Sequence, residues 1–289
     1  MTRAWLVSGG GNDFLALVAP ARDPSAEEIA AWCARGISVG ADGLFTLRAI
    51  DEARVAMRYW NADGRPADLC LNGTRCAARL ALARALVHGT FTVETGAGPM
   101  RAQATGATTV AVDLPAPSAP PAALSLAVGE ERFELWKIDV GVPHVVLPWP
   151  ESLARCPVAR LGPPLRAHAA LGPPGANVDF VRFPDPHRLE IRTFERGVEG
   201  ETLACGTGIL AAVATGLALG RLELPVAALT RGGFRFVVAG TSVATSGVSP
   251  TLERWSLGGD ARLLGEIDLD DEASLPPPPP PAWSDAAER

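Results

Sequence analysis

Two cysteines stand in near-identical settings. "LACGTGILAAVATGLALG" (203–220) puts Cys205 directly before Gly206, Thr207 and Gly208, and then an alanine–leucine run that reads as a buried helix. "DLCLNGTRCAARLALARAL" (68–86) puts Cys70 before Leu71, Asn72 and Gly73 and a second such run. Each thiol is therefore expected at a helix mouth, where free N–H groups and the positive end of the dipole bind carboxylates and favour thiolates. The dipole supplies about 0.3–1 kcal/mol, less than the roughly 1.36 kcal/mol that one pKa unit represents. A thiolate at neutral pH thus needs a further partner, and His144 or the carboxylate of Glu195 is the candidate. Two such thiols facing one another suit a specific reaction. One takes a proton from the carbon beside a carboxylate, and the other returns a proton to the opposite face: two-base stereoinversion of an amino or hydroxy acid.

For the thiols to meet, the chain must repeat itself, and it does. One 135-residue offset relates Cys70 to Cys205, Asp42 in "GADGLF" to Asn177 in "GANVDF", and Thr95 in "VETGAG" to Thr230 in "ALTRGG". "RYWN" (58–61) and "RTFE" (192–195) extend the echo one register off, pairing Asn61 with Glu195, and "GGNDF" (10–14) is weakly matched by "GVPHV" (141–145). This predicts two similar domains, 1–117 and 128–260, packed about a pseudo-two-fold axis with the site in the cleft between them. The proline-rich stretch 114–124 reads as a linker, placed at 118–127. Strand-like segments ("TTVAVDL", "HVVL", "VDFVRF", "FRFVVAG") separated by few helical runs give an α+β pattern, without regular β–α alternation.

Composition narrows the class. A chain of 289 residues, 47% hydrophobic, can bury a large core, and its net charge of −6 argues against nucleic acid as a partner. No apolar run reaches the roughly 20 residues that span a bilayer, and the N-terminus carries no secretory pattern. Cysteines at 33, 70, 76, 156 and 205 are too sparse for a disulfide scaffold, so a cytoplasmic protein with reduced thiols is expected. A metal site is not expected: Cys70-x5-Cys76 is not a zinc spacing and no paired histidine follows. Cys33, Cys76 and Cys156 read as small core hydrophobes. The segment 271–289, with prolines from 276 to 281, reads as a disordered tail.

At these residues the sequence resembles the diaminopimelate epimerase family. The motifs are "GGGNDFLAL" (9–17), "GADGL" (40–44), "NADG" (61–64), "CLNGTRC" (70–76), "GVPH" (141–144), "GANVDFV" (175–181) and "ERGVEGETLACGTG" (195–208). The resemblance implies two pseudo-symmetric α/β domains, each with strands wrapped around a central helix, and a strand near 261–268 returning to the first domain. It implies a cofactor-independent, PLP-independent isomerase that interconverts LL- and meso-diaminopimelate in lysine and peptidoglycan-precursor synthesis, with an amino-acid substrate and a homodimeric assembly. Cys70 and Cys205 become the acid/base pair, assisted by His144 and Glu195. Asn12, Asn61, Asn177, Glu195 and Arg196 fall where the family holds the distal amino-acid end. Leu71, Asn72, Gly73, Gly206 and Thr207 fall where backbone amides hold the reacting carboxylate. The chain departs from the family pattern at Leu71, where glycine is usual and a side chain is expected to restrict the approach. It departs at Val142, where asparagine is usual, and by one extra residue between Gly197 and Glu201. A diverged epimerase or racemase of the proline or hydroxyproline type is the alternative, and a non-catalytic amino-acid-binding protein a further one.

Overall fold

The computed structural model describes residues 2–243 and 251–275. The first half holds β1 (Thr2–Gly9), β2 (Asn12–Val18), α1 (Ala26–Cys33), β3 (Gly43–Asp51), β4 (Arg54–Asn61), β5 (Pro66–Ala67), α2 (Leu71–Ala83), β6 (Thr90–Thr95), β7 (Gly98–Gly106) and β8 (Thr109–Pro115). The second holds β9 (Ala122–Val128), β10 (Glu131–Asp139), β11 (Pro143–Pro148), α3 (Val158–Arg166), β12 (Asn177–Asp185), β13 (Arg188–Glu195), β14 (Gly200–Thr202), α4 (Gly206–Ala218), β15 (Val226–Thr230), β16 (Arg235–Val243) and β17 (Thr251–Asp260), before β18 (Arg262–Leu269).

The strands form one continuous ladder, β18-β1-β2-β3-β4-β6-β7-β8-β17-β16-β15-β13-β12-β11-β10-β9. Read from either end the senses agree: β2–β3 and β11–β12 are parallel, as are β4–β6 and β13–β15, and the other pairs of this ladder are antiparallel. The two runs of strands meet at β8–β17, with Leu114 opposite Trp255. In this order β18 occupies beside β1 the place that β9 occupies beside β10. The first half is thus closed by the end of the chain, with Thr2 opposite Leu269.

Alternation along the strands decides what each face covers. On β2, Phe14 and Ala16 pack with α2 in one core, while Leu15 and Leu17 pack with Ile29 and Trp32 of α1 in another. On β12, Val181 faces the core of α4, while Val178 and Phe180 face Leu161 and Leu165 of α3. Each half is therefore a curled sheet with a buried helix inside and a second helix outside. α2 touches β1, β2, β3, β4, β6, β7, β8 and β18. α4 is buried from Gly206 through Gly216 but for Thr207, which follows from an almost wholly apolar sequence. Burying its Ile209, Leu210 and Val213 is worth about 1.5–3 kcal/mol each. One core cluster spans both halves, joining Leu71 and Leu114 to Ile209, Leu210 and Leu257.

Two boundaries differ from those expected. The linker is shorter than 118–127, because "AALSLAV" after Pro121 alternates as a strand and pairs with β10, Ala122 opposite Lys137. The tail starts later than 271: Asp271–Ser274 form a helical turn whose Ser274 hydroxyl accepts a 2.9 Å bond from the Trp32 indole. The proline run itself, 276–281, lies outside the described residues. Among the described residues no helix is long and apolar enough to cross a membrane.

Candidate active site

Both cysteines are helix N-caps. Cys70 is extended at φ −139°, and its sulfur accepts from the Gly73 amide at 3.4 Å. Cys205 is extended at φ −120°, and its sulfur accepts from the Gly208 amide at 3.4 Å. Beyond each cap the first helical residues are Leu71, Asn72 and Gly73, or Gly206, Thr207 and Gly208. The two helix mouths touch. A Cβ on Gly206 would lie 3.1 Å from the Leu71 Cβ and 3.3 Å from a methyl of Leu257.

The Leu71 side chain is consumed in that contact, since it is 5% exposed in the core that joins the halves. It does not restrict approach to the site as the sequence suggested, and the Leu71 amide stays at the mouth of α2.

Around Cys205 the inner face of the second sheet turns polar where it nears the helix mouth. Val146 on β11 is followed inward by His144, Val181 on β12 by Asp179 and Asn177, and Ile191 on β13 by Thr193 and Glu195. The fully buried His144 ring bonds Asp179 through Nδ1 at 2.7 Å. The Asn177 Oδ1 accepts from the Arg196 backbone amide at 2.8 Å, so its Nδ2 is the atom that donates to His144 Nε2 at 3.2 Å. Nε2 must then be an acceptor, which puts the ring proton on Nδ1, donated to Asp179. The Thr207 hydroxyl sits 3.0 Å from Nε2 and 3.3 Å from the Cys205 sulfur. Glu195 accepts from Thr202 at 2.6 Å and lies against Cys205.

Around Cys70 the partners differ. Tyr59, the chain's only tyrosine, has its hydroxyl near the sulfur. Asn72 accepts from the buried guanidinium of Arg75 and donates to Asn12 Oδ1 at 2.7 Å, and Asn12 donates to Asp42 at 2.8 Å. Arg75 also stacks on Phe236 of the other half, 4.8 Å from the ring centroid.

The electrostatics follow. Burial pushes the Cys70 thiol up, while the Gly73 amide, the Tyr59 hydroxyl and the Arg75 charge pull it back. Burial pushes the Cys205 thiol well above its ordinary value, the charges of Glu195 and Asp179 add to this, and Thr207 and the Gly208 amide oppose it. Burial likewise raises Glu195, against the pull of the Thr202 and Cys205 hydrogen bonds.

The structure thus gathers Cys205, His144, Asn177, Glu195, Thr207 and the Arg196 backbone in one cluster, and Cys70, Asn72 and Asn12 in a second that meets it through Leu71 and Gly206. Asn61 ends β4 as an exposed residue whose side chain bonds none of the others among the described residues. The Arg196 guanidinium is half-buried and makes no ion pair among the described residues. Sequence reasoning passed over Asp179, Thr193 and Tyr59. The signal for the first lay in "NVDF", because Asn177 and Asp179 are two apart on a strand and must share a face. No group of three His, Cys, Asp or Glu that could hold a metal is found among the described residues.

The profile of one family, diaminopimelate epimerase, matches residues 5–119 and 137–241. The chain belongs to the diaminopimelate epimerase family. It is 37% identical over 245 residues to the diaminopimelate epimerase of Aquifex aeolicus, covering 79% of this chain and 86% of that one. It is 37% identical over 262 residues to that of Methanothrix thermoacetophila, covering 85% and 92%. Solved structures more distant in sequence share the fold. A phenazine biosynthesis protein of the PhzF family from Bacillus anthracis aligns with TM-score 0.68 at 17% identity, over 93% of this chain and 98% of that one. A hydroxyproline epimerase from Agrobacterium vitis aligns with TM-score 0.63 at 15% identity, over 94% and 93%.

Proposed function

We propose that this chain interconverts LL- and meso-diaminopimelate by a two-base mechanism, with Cys70 and Cys205 as the acid/base pair. The observation that carries the reading is the pair of cysteine N-caps on two helices whose first residues, Leu71 and Gly206, touch. The amides of Leu71, Asn72, Gly73, Gly206 and Thr207 surround the junction, positioned to hold a carboxylate between two positive helix ends. One sulfur, as thiolate, takes the α-proton and becomes S–H. The electron pair left on carbon is spread into the amide-bound carboxylate. The other S–H then gives its proton to the opposite face and ends as thiolate. Protons and electrons balance with no cofactor.

For the distal end of the substrate, Arg196, which makes no ion pair among the described residues, offers a cation and the exposed Asn61 a donor and an acceptor. Beside them stand Asn12, Asn177 and Glu195, whose existing bonds to Asp42, to the Arg196 amide and to Thr202 hold them in place. This supports a substrate with a second amino-acid group over a proline-type one. We propose also that the halves, 1–117 with β18 and 122–260, act as the two domains of the site, that the enzyme works as a homodimer, and that it resides in the cytoplasm, where five free thiols remain reduced.

The test is incubation with LL-, meso- and unrelated amino acids in deuterated water. Exchange of the α-proton of LL- and meso-diaminopimelate, and of no proline, is expected. Exchange with none of them would overturn the reading.

A further inference from the structure

Asp179 is a fully buried carboxylate that the two-thiol mechanism does not call for, and its surroundings are built to keep it. Its Oδ2 takes the His144 Nδ1 proton at 2.7 Å and its Oδ1 takes the Thr193 hydroxyl at 2.8 Å, across the β12–β13 ladder where the two residues are opposite. Gly208 makes the room: a Cβ there would stand 2.4 Å from Asp179 Oδ1. At the matching place in the first half the inner face of β3 carries Phe45, opposite Tyr59 as Asp179 is opposite Thr193, so the device serves one thiol only.

We propose that Asp179 is a positioning residue that holds His144 in its Nδ1–H form, so that Nε2 and the Cys205 sulfur compete for a single hydroxyl proton on Thr207. The proposal rests on the epimerase reading for its consequence, though its geometry does not. With Cys205 as thiol, S–H donates to Thr207 Oγ1 and the hydroxyl donates to His144 Nε2. With Cys205 as thiolate, the hydroxyl turns about its C–O bond and donates to sulfur, while Asn177 Nδ2 keeps Nε2 partnered at 3.2 Å. No proton leaves the chain of groups and no bond to carbon is made by it. Its effect is to give both ionisation states of Cys205 a complete set of partners in a buried site, where an unpartnered group is costly. Were His144 instead protonated on Nε2, it would claim the Thr207 lone pair, face the Asn177 donor, and leave Nδ1 with nothing to give Asp179.

Charged and titratable groups face Cys205 from each packed element: His144 on β11, Asp179 on β12, Glu195 on β13. Both tests therefore compare variants within one pH series.

The first measurement is the 15N spectrum of the histidine-labelled protein. Wild type should show His144 protonated at Nδ1 and bare at Nε2, and Asp179→Asn should lose this state, because its amide can donate to Nδ1 in place of accepting. The second is alkylation of Cys205, followed by mass spectrometry against pH. Thr207→Val, which removes the hydroxyl while keeping the shape, should move its onset to higher pH, and Thr207→Ser should restore it. In turnover, both Asp179→Asn and Thr207→Val should lower kcat by about 10²-fold or more with KM within about threefold. An unchanged His144 spectrum in Asp179→Asn, or an unchanged alkylation profile in Thr207→Val, overturns the proposal. Neither readout needs substrate, so a wild-type chain that exchanges no diaminopimelate proton would defeat the epimerase reading and leave this one to be judged by the two spectra.

Discussion

Leu71 and Gly206 are the first residues of α2 and α4, related by the repeat, and they meet face to face with 3.1 Å between the leucine Cβ and the place a Cβ on the glycine would occupy. The junction of the two halves is therefore asymmetric: leucine fills on one side what glycine vacates on the other. This matters because the distance between the two sulfurs depends on how closely the helix mouths approach.

Gly206→Ala should therefore cost about 1–3 kcal/mol of stability from overpacking and lower kcat. Leu71→Gly in the same chain, which removes the leucine Cβ, should recover part of the loss, giving a coupling of about 0.5–3 kcal/mol in a double-mutant cycle of denaturant unfolding. Additive losses would mean that the two residues do not share the contact.

Glu195 carries a prediction that separates stability from activity. Its buried carboxyl is raised above the ordinary 4.5, so its ionised form costs the fold stability that is fully present below pH 4.5 and lost as pH rises through the folded value. Glu195→Gln keeps an acceptor for Thr202 and removes the charge beside Cys205. Its urea midpoint at pH 7 should exceed that of wild type, the two should converge near pH 4, and epimerisation should fall by about 10²–10⁴-fold. A midpoint below wild type at pH 7 would refute the assignment.

Three cysteines away from the site behave as core residues. Burial pushes Cys33 and Cys156 up to about 12, and Cys76 higher still. Raised values mean that these thiols stay protonated in the fold while the unfolded chain releases protons from about pH 9, so stability should decline between about pH 9 and pH 12. Guanidinium midpoints across that window should show the decline, and Cys33→Ala with Cys156→Ala should flatten it.

Much of this was legible in the sequence because local chemistry and long-range repetition agree. The Cys-x-polar-Gly pattern before an alanine–leucine run marked both N-caps, and the repeat reappears in the ladders one register off, where Leu44 pairs with Trp60 on β3 and β4 as Val178 pairs with Phe194 on β12 and β13. Two things were hidden for physical reasons. The Leu71 side chain could not be oriented without knowing that Gly206 lies opposite, a contact between residues 135 positions apart. The strand β9 was masked by prolines that end one position before it, since composition marks a breaker more strongly than the short alternation that follows. Asp179 lay inside a quoted motif, but a lone carboxylate on a strand gains its meaning only from His144 on the neighbouring one.

Val142 tests substrate recognition apart from chemistry. It lies half-buried between Gly141 and Pro143, two residues before His144, and its carbonyl accepts the Val140 amide at 3.2 Å. Its side chain offers no hydrogen bond. Val142→Asn should tighten diaminopimelate by about 0.5–1.5 kcal/mol, read as a lower KM with kcat within about twofold. An unchanged or raised KM would show that the far end of the substrate is held without this position.

The two sulfurs can be told apart by giving each half of the reaction its own readout. In a two-base mechanism one isomer meets Cys70 as its base and the other meets Cys205. Cys70→Ser and Cys205→Ser each replace one thiol by a far weaker acid and base, so either should cut full epimerisation by at least about 10²-fold. The remaining thiolate can still take a proton from the isomer presented to it. A diaminopimelate analogue with a leaving group on the β-carbon reports that step directly, because proton loss is followed by elimination without any need for the second thiol. The Cys205→Ser protein retains Cys70 beside Tyr59 and the Arg75 charge, while the Cys70→Ser protein retains Cys205 with Glu195 and the Thr207 hydroxyl. The two should eliminate from opposite isomers of the analogue. Elimination from the same isomer by both, or full epimerisation by either, would show that the paired cysteines are not the two bases.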